Sequence, residues 1–118
     1  MQSRVSDFLM VTTPTVAGGR ISKVLGVVTG ISPRTRGVLG KFVASIQSVV
    51  GGEVSAFTVE LEKARIEAME RLRQKAVALG ANAVVGLDLE TSDLGLGQAG
   101  ITVISATGTA VSVEPEKS

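Results

Sequence analysis

The sequence predicts an α+β fold, in which a small antiparallel sheet carries helices on one face. Three observations support this prediction. A long segment, Ser55–Leu79, has apolar residues at helical spacing, and an alternating strand, Ala83–Glu90, follows it. Further strand-like segments lie near both ends of the chain. Strand pairs at both ends with two helices between them give the order ββααββ.

Composition excludes several kinds of chemistry. Apolar residues make up 44% of the 118 residues and charged residues 19%, as in one globular domain. There is no Cys and no His, which excludes disulfides, thiol or imidazole catalysis and soft-metal sites within one chain. Three Phe are the only aromatic residues, so a base-stacking surface for nucleic acid is not expected. We expect no cofactor.

Charge is unevenly distributed along the chain. Residues 1–50 carry a net charge of +5 and residues 51–118 a net charge of −4. Two halves of opposite net charge can attract each other within a subunit or between subunits. Alternatively, these residues are ordinary solvent-exposed surface charges. No segment looks like a signal peptide or a membrane span, so a cytoplasmic protein without a membrane partner is expected.

Two strands are predicted before the first helix. Phe8–Thr12 is a short apolar run that Pro14 stops, and Arg20–Gly30 is a longer run rich in Ile and Val. Gly26 and Gly30 within the second run indicate a bulge or a close backbone neighbour.

A basic loop and a short helix are predicted next. The loop is Ile31–Gly37, and its Arg34 and Arg36 precede a helix, Val38–Val50, that Gly51 and Gly52 end. Two guanidinium groups near a helix N-terminus could hold a phosphate or carboxylate. The alternative is a solvated basic loop.

The long helix carries apolar residues on two sides. Ser55 is its predicted N-cap, and Glu67 and Arg71 form a favourable i,i+4 pair. Its main stripe comprises Phe57, Leu61, Ala64, Ala68, Leu72, Ala76 and Leu79. Three further residues, Val59, Ile66 and Val77, project to nearly the opposite side. Either a neighbouring subunit or the short helix covers them, and the sequence does not separate the two.

The C-terminal part of the chain is predicted to form two strands. Gly80 ends the helix. The alternation in Ala83–Glu90 predicts one face made of Ala83, Val85, Leu87 and Leu89, and the other of Val84, Gly86, Asp88 and Glu90. A glycine-rich loop leads to the strand Ile101–Val113. In that strand Ala106, Gly108 and Ala110 share a face and indicate close approach of a helix or another backbone.

Six short segments together are similar to a known family. They are TTPT at Thr12–Thr15, LGVVTG at Leu25–Gly30, GG at Gly51–Gly52, LEKAR at Leu61–Arg65, LGANAVVGLDL at Leu79–Leu89 and GTAV at Gly108–Val111. The chain resembles the YbjQ family over residues 9–111. That family has no established function and is described as heavy-metal-binding. One difference is Phe57, where the family commonly carries Tyr.

The resemblance implies a subunit similar to those of dodecin-like folds. It also implies a homopentamer in which strands complete a sheet between subunits. The heavy-metal description fits this chain poorly, because soft metals prefer thiolate and imidazole ligands that the sequence lacks.

Candidate binding residues fall into three groups. Asp88, Glu90 and Asp93 could bind Mg²⁺ or Ca²⁺, although a solvent-facing strand edge explains them more simply. Glu60 and Arg65 flank the main helical stripe. A charged side chain there would be partly buried and paired, and its role would be structural, in a subunit contact or in ligand binding. Residues 95–100 match G-x-G-x-x-G, but between two strands this pattern is a hairpin loop rather than a nucleotide site.

These observations predict one domain, residues 1–118, with flexible ends at residues 1–7 and 114–118. The expected function is that of a non-enzymatic homo-oligomer, a pentamer, that can bind a small ligand. The alternative is a metal-ion-binding protein that uses oxygen ligands. No catalytic residues are predicted, and the chain itself is the expected partner.

Overall fold

The structure is a computed structural model. Its fold is α+β, as the sequence predicts. The structure describes residues 8–35, 52–94 and 100–116. The elements of these residues are β1 (Leu9–Met10), β2 (Gly19–Thr35), α1 (Gly52–Ala78), β3 (Ala83–Leu94) and β4 (Ile101–Pro115). The predicted helix Val38–Val50, its end at Gly51 and residues 95–99 of the glycine-rich loop predicted at Thr91–Gly100 lie outside the described residues. The first four residues of that loop belong to β3, so the loop prediction is wrong for Thr91–Leu94.

The four strands form one mixed sheet in the order β1-β3-β4-β2. β4 pairs antiparallel with both β2 and β3, whereas β1 pairs parallel with β3 through Leu9 and Met10. The prediction of an entirely antiparallel sheet is therefore wrong. Its cause is the connection after β1, which does not turn back as a hairpin but carries the chain to the opposite edge of the sheet.

β2 is longer than the sequence indicates. It continues through Thr35, so the loop predicted at Ile31–Gly37 is wrong for its first five residues. Pro33 lies inside the strand, opposite Val103. Proline lacks an N–H and is tolerated because β2 is an edge strand in the described sheet.

The core lies between α1 and one face of the sheet. Ala64, Ala68, Leu72 and Ala76 of the predicted main stripe are completely buried. Leu79, by contrast, is 49% exposed, because the helix ends at Ala78 and the stripe stops with it. The side chain of Phe57 lies outside the described residues. The residues opposite this stripe, Val59, Ile66 and Val77, are all exposed in the single chain.

Glycine in β2 acts at two positions as the sequence predicts. Gly26 has a φ of 137° and lies at a register shift between β2 and β4, which is a bulge. Gly30 faces the helix, where an added Cβ would lie 2.0 Å from the Ala68 carbonyl oxygen and 2.5 Å from the Leu72 amide nitrogen. The helix backbone therefore packs directly onto the strand backbone.

The small residues of β4 also permit close approach. Ala106 and Ala110 are fully buried in the core beneath α1. An added Cβ on Gly108 would lie 2.5 Å from a methyl group of Val84. The prediction of close packing along this face of β4 is confirmed.

β3 does not keep the alternation that the sequence predicts. The pairing of β3 with β4 shifts between Val85 and Asp88, and Gly86 within this bulge has a φ of 64°. As a result, Val84 packs with Leu87 and Leu89 toward the helix, while Ala83 and Val85 face the other side. The predicted two-face assignment is wrong before Gly86, because one extra residue reverses the faces.

A second, smaller cluster covers the other face of the sheet at one end. Its buried residues are Ala83, Val85 and Val111, and the half-buried residues packed on them are Val11, Val16, Ile21 and Val113. The connection between β1 and β2 therefore serves as a cover for this face. Beside it, the Asn82 amide exchanges two hydrogen bonds with the Val113 backbone, of 2.9 and 2.8 Å.

β2 and β4 pair from Gly19 opposite Pro115 to Thr35 opposite Ile101. β4 extends to Pro115, and Arg20 forms an exposed ion pair of 2.6 Å with Glu114. Within the described ranges, no helix is both long and apolar enough to cross a membrane.

Replacing Gly30 by Ala tests the backbone contact between α1 and β2. We expect Gly30→Ala to lower the free energy of unfolding by at least about 2 kcal/mol, since the new methyl group must push the helix away from the sheet. Urea unfolding at fixed protein concentration measures this change. The exposed substitution Thr107→Ala serves as control and should cost less than about 1 kcal/mol. Equal effects of the two substitutions would contradict the proposed contact.

Candidate functional site

Polar residues continue the buried face of β2 beyond the apolar core. Val28 and Gly30 face the helix, so strand alternation brings Ser32 and Arg34 to the same side. On α1, Glu60, Glu67 and Arg71 recur at intervals of seven and four residues, which places them along one flank. The two elements therefore meet in a polar cluster, here called the Arg34 cluster and comprising Ser32, Arg34, Glu60, Glu67 and Arg71.

Arg34 is the centre of this cluster. Its Nε donates to Glu60 Oε1 at 3.0 Å, and its Nη1 lies 3.1 Å from Glu67 Oε1 and 3.0 Å from Ser32 Oγ. Nη1 also donates to the Pro33 carbonyl oxygen at 3.0 Å. The side chains of Arg34 and Glu60 are 20% and 19% exposed, so this pair is largely removed from water.

Glu67 connects the strand to the next turn of the helix. The fully buried Ser32 donates its hydroxyl to Glu67 Oε1 at 2.5 Å. Arg71 lies 3.6 Å from the same carboxylate, which confirms the predicted i,i+4 pair, and donates to the Ile31 carbonyl oxygen at 2.6 Å. Two carboxylates and two guanidinium groups therefore bridge β2 and α1 with balanced charge.

The cluster shifts the pKa of its members in the directions expected for ion pairs. The hydrogen bond from Ser32, and after it the one from Arg34, lowers the pKa of Glu67. The Glu67 carboxylate in turn raises the pKa of Arg34. Both groups are thus held in their charged forms at neutral pH. A carboxylate held charged by hydrogen bonds and ion pairs, as Glu67 is through its Oε1, stabilises structure and is poorly suited to accept a proton in catalysis.

The structure brings together two of the four residues predicted as ligand or interface residues. Arg34 lies in β2, not in a loop ahead of a helix, and its guanidinium is bound to Glu60 and Glu67. Arg65 is separate from this cluster and pairs with Glu62 on the exposed helix surface. Arg36 lies outside the described residues.

Ser32, Glu67 and Arg71 complete the cluster, although the sequence did not mark them as site residues. Their spacing carried a partial signal. Ser32 and Arg34 are two residues apart, as are neighbours on one strand face, and Glu60 and Glu67 are seven apart on one helix face. That signal could be used only if Ile31–Thr35 had been predicted as a strand.

The three acidic residues of β3 do not converge. Asp88 and Glu90 are exposed and lie opposite Thr107 and Ser105 of β4. Asp93 lies opposite Thr102 and accepts its hydroxyl hydrogen bond at 2.8 Å. Residue parity places Asp93 on the other face of the strand from Asp88 and Glu90. Within the described part of the chain, no three carboxylates are grouped as metal ligands.

The Arg34 cluster should contribute to stability more than an exposed ion pair does. We expect Arg34→Met to lower the free energy of unfolding by about 1–3 kcal/mol, because it leaves Glu60 half-buried without its charged donor. Arg65→Met removes an exposed pair on the same helix and should change stability by about 0.5 kcal/mol or less. Chemical unfolding of both variants measures the difference, and equal losses would contradict the role given to Arg34.

The lowered pKa of Glu67 should make the free energy of unfolding depend on pH. Its folded-state pKa is lowered, so its contribution is complete above the ordinary glutamate pKa and is lost as pH falls through the folded-state value. We therefore expect wild type to be more stable than Glu67→Gln at pH 7, with a difference that shrinks on acidification. Unfolding curves from pH 7 to pH 3 test this. A difference that stays constant or grows toward low pH would show the sign to be wrong.

A family model and several similar proteins match most of this chain. The model of the YbjQ family, described as "Putative heavy-metal-binding", matches residues 8–114. A UPF0145 protein of Methanocella arvoryzae is 40% identical over 112 residues, which cover 95% of this chain and 91% of that protein. A UPF0145 protein of Thermoplasma acidophilum is 46% identical over 110 residues, covering 93% and 90%.

A solved structure shares the fold. It is a protein of unknown function from the DUF74 family of Pediococcus pentosaceus, with a TM-score of 0.59 and 19% sequence identity. The match covers 89% of this chain and 96% of that one. The names of these relatives state no enzymatic activity. The matched family model and the identities to the two UPF0145 proteins show that this chain belongs to the YbjQ family, whose function is not established.

Proposed function

We propose that this protein is a non-enzymatic subunit of a closed homo-oligomeric ring that binds a small ligand. The observation that carries the proposal is a pair of unpaired sheet edges on opposite sides of the described chain. An unpaired edge exposes backbone N–H and C=O groups and favours the addition of another strand. The number of subunits, five, comes from the family resemblance.

The first edge is β2 and the second is the C-terminal half of β3. Among the described residues, β2 pairs on one side with β4, and its other side is free. β1 and the residues after it bond to β3 as far as Leu87, which leaves Asp88–Leu94 free on that side. Since β2 and β3 are both antiparallel to β4, they run in the same direction. Joining β2 of one subunit to β3 of the next would make a parallel head-to-tail contact, which forms a ring when the rotation closes.

The charges of the two edges are complementary. β2 carries basic residues and no acid, while β3 carries Asp88, Glu90 and Asp93 and no base. Arg20 and Arg34 are paired within the subunit, whereas Lys23 of β2 has no ion pair with any residue that the structure describes. Complementary charge steers association and disfavours pairing of two identical edges.

Exposed apolar residues support the same assembly. Val59, Ile66 and Val77 form a stripe on the solvent side of α1, and each is about half exposed or more. Val24 and Val27 of β2 are 65% and 73% exposed. Apolar residues exposed on a helix back and along a free strand are covered in a stable assembly.

The family's heavy-metal description has little support in this chain. Cys and His are absent from its 118 residues, so any metal would need oxygen ligands, and the described acidic residues do not group. An oxygen-ligand metal site remains the alternative function. Elemental analysis of the purified protein, together with titration of Mg²⁺, Ca²⁺ and Mn²⁺, separates it from the proposal.

A charge reversal on β3 tests the assembly. We expect the wild-type protein to sediment as a single oligomer at micromolar concentration. Glu90→Lys should weaken that oligomer, because it places a base on the edge that would meet the basic β2. Glu116→Lys makes the same charge change beyond the end of β4 and should leave the oligomer intact.

Sedimentation velocity and native mass spectrometry provide the measurement. A stable wild-type monomer at micromolar concentration would overturn the proposal. So would an oligomer that both substitutions affect equally, since the contact would then not involve the β3 edge.

A further inference from the structure

A cleft between α1 and β2 adjoins the Arg34 cluster and shares Arg71 with it. It has a volume of about 350 Å³, within the size range of small-molecule sites. Its lining residues are Ile31, Arg71, Gln74, Lys75 and Ala78. The four helical residues lie on one side of the C-terminal half of α1, because positions three or four apart share a helix face. The cleft is therefore formed by one face of α1 and one residue of β2.

The charge of this cleft is positive. Arg71 and Lys75 line it, and none of the lining residues that the structure describes is acidic. The two nearby acids on the helix have partners of their own. Glu67 accepts hydrogen bonds from Ser32 and Arg34 and lies 3.6 Å from Arg71. Glu70 accepts hydrogen bonds from Arg73 and from Gln74. Lys75 has no ion pair with any residue in the described ranges. A cation beside a small cleft is thus available to a bound anion.

Arg71 is positioned for recognition. Its Nη1 donates to the Ile31 carbonyl oxygen at 2.6 Å, which holds the guanidinium at the mouth of the cleft. Its contact with Glu67 is long, at 3.6 Å. Guanidinium carries five N–H donors in a planar fork, and this fork matches the two oxygens of a carboxylate. An anchored guanidinium loses less conformational freedom on binding than a free one.

One further wall is apolar, since Ala78 is exposed one turn beyond Lys75. Ile31 contributes its backbone to the cleft, because its side chain lies on the opposite strand face from Gly30 and Ser32. A ligand held by Arg71 and Lys75 would therefore place its uncharged part against Ala78. A compact inorganic anion would leave this wall uncovered.

We propose that the Arg71–Lys75 cleft binds a small carboxylate carried on an apolar body. This inference rests on the ligand-binding part of the proposed function and names the ligand class. Arg71 receives the carboxylate by paired hydrogen bonds, Lys75 supplies a second positive charge, and Ala78 contacts the apolar body.

Titration of the full chain with hexanoate, followed by amide chemical shifts in TROSY spectra, tests this site. We expect saturable shifts centred on Ile31, Gln74, Lys75 and Ala78. Lys75→Gln should raise the dissociation constant about tenfold, as expected for the loss of one charged contact. Lys63→Gln removes a charge from an exposed position on the same helix and should change it less than twofold.

Two further probes define the ligand class. Hexanol lacks the charge and inorganic phosphate lacks the apolar body, so both should bind at least about tenfold more weakly than hexanoate. No saturable binding of hexanoate, equal binding of either probe, or equal effects of Lys75→Gln and Lys63→Gln would each overturn the site.

Sedimentation of the same samples separates this inference from the assembly. An oligomer that does not bind hexanoate overturns the cleft and leaves the ring. A monomer that binds hexanoate overturns the ring and leaves the cleft.

Discussion

The direct contact between the backbones of α1 and β2 at Gly30 is the constraint on which the rest of the structure depends. A Cβ at this position would meet the Ala68 carbonyl oxygen at 2.0 Å, so glycine alone allows the helix to lie this close. The same closeness explains why the buried helix face is made largely of Ala, with Leu72 as its largest fully buried side chain. Aromatic residues are scarce because little space remains between the layers.

The Arg34 cluster extends this contact beyond the apolar core. Ser32 and Arg34 follow Gly30 on the same strand face, and the helix flank that passes over them offers Glu60 and Glu67. Burial of these charges is tolerated because each carboxylate has charged donors. The interaction fixes the last part of β2 as a strand under the helix. The described part of the predicted basic loop, Ile31–Thr35, is therefore a strand under the helix, and the guanidinium of Arg34 is bound to Glu60 and Glu67.

The same arrangement separates three surfaces of the chain. One flank of α1 holds the Arg34 cluster and, toward its C-terminus, the cleft with Arg71 and Lys75. The back of α1 exposes Val59, Ile66 and Val77. The edges of the sheet, β2 and the second half of β3, differ in charge, and β2 also contributes Ser32 and Arg34 to the cluster and Ile31 to the cleft. Ligand binding and assembly can be tested by different substitutions, because Lys75 lies on the helix and Glu90 on the edge of β3.

The sequence by itself determined the α+β class, the long helix with its buried stripe, the bulge and close contact at Gly26 and Gly30, and the family. These features follow from local periodicity and from glycine, whose effects act over a few residues. Tertiary structure alone decided the parallel pairing of β1, the strand character of Ile31–Thr35 and the reversal of faces at Gly86. It also decided that Arg34 meets Glu60 and Glu67, since these residues lie 26 and 33 positions apart in the chain. Local spacing cannot predict such contacts, because they arise only when the helix is packed onto a particular register of the strand.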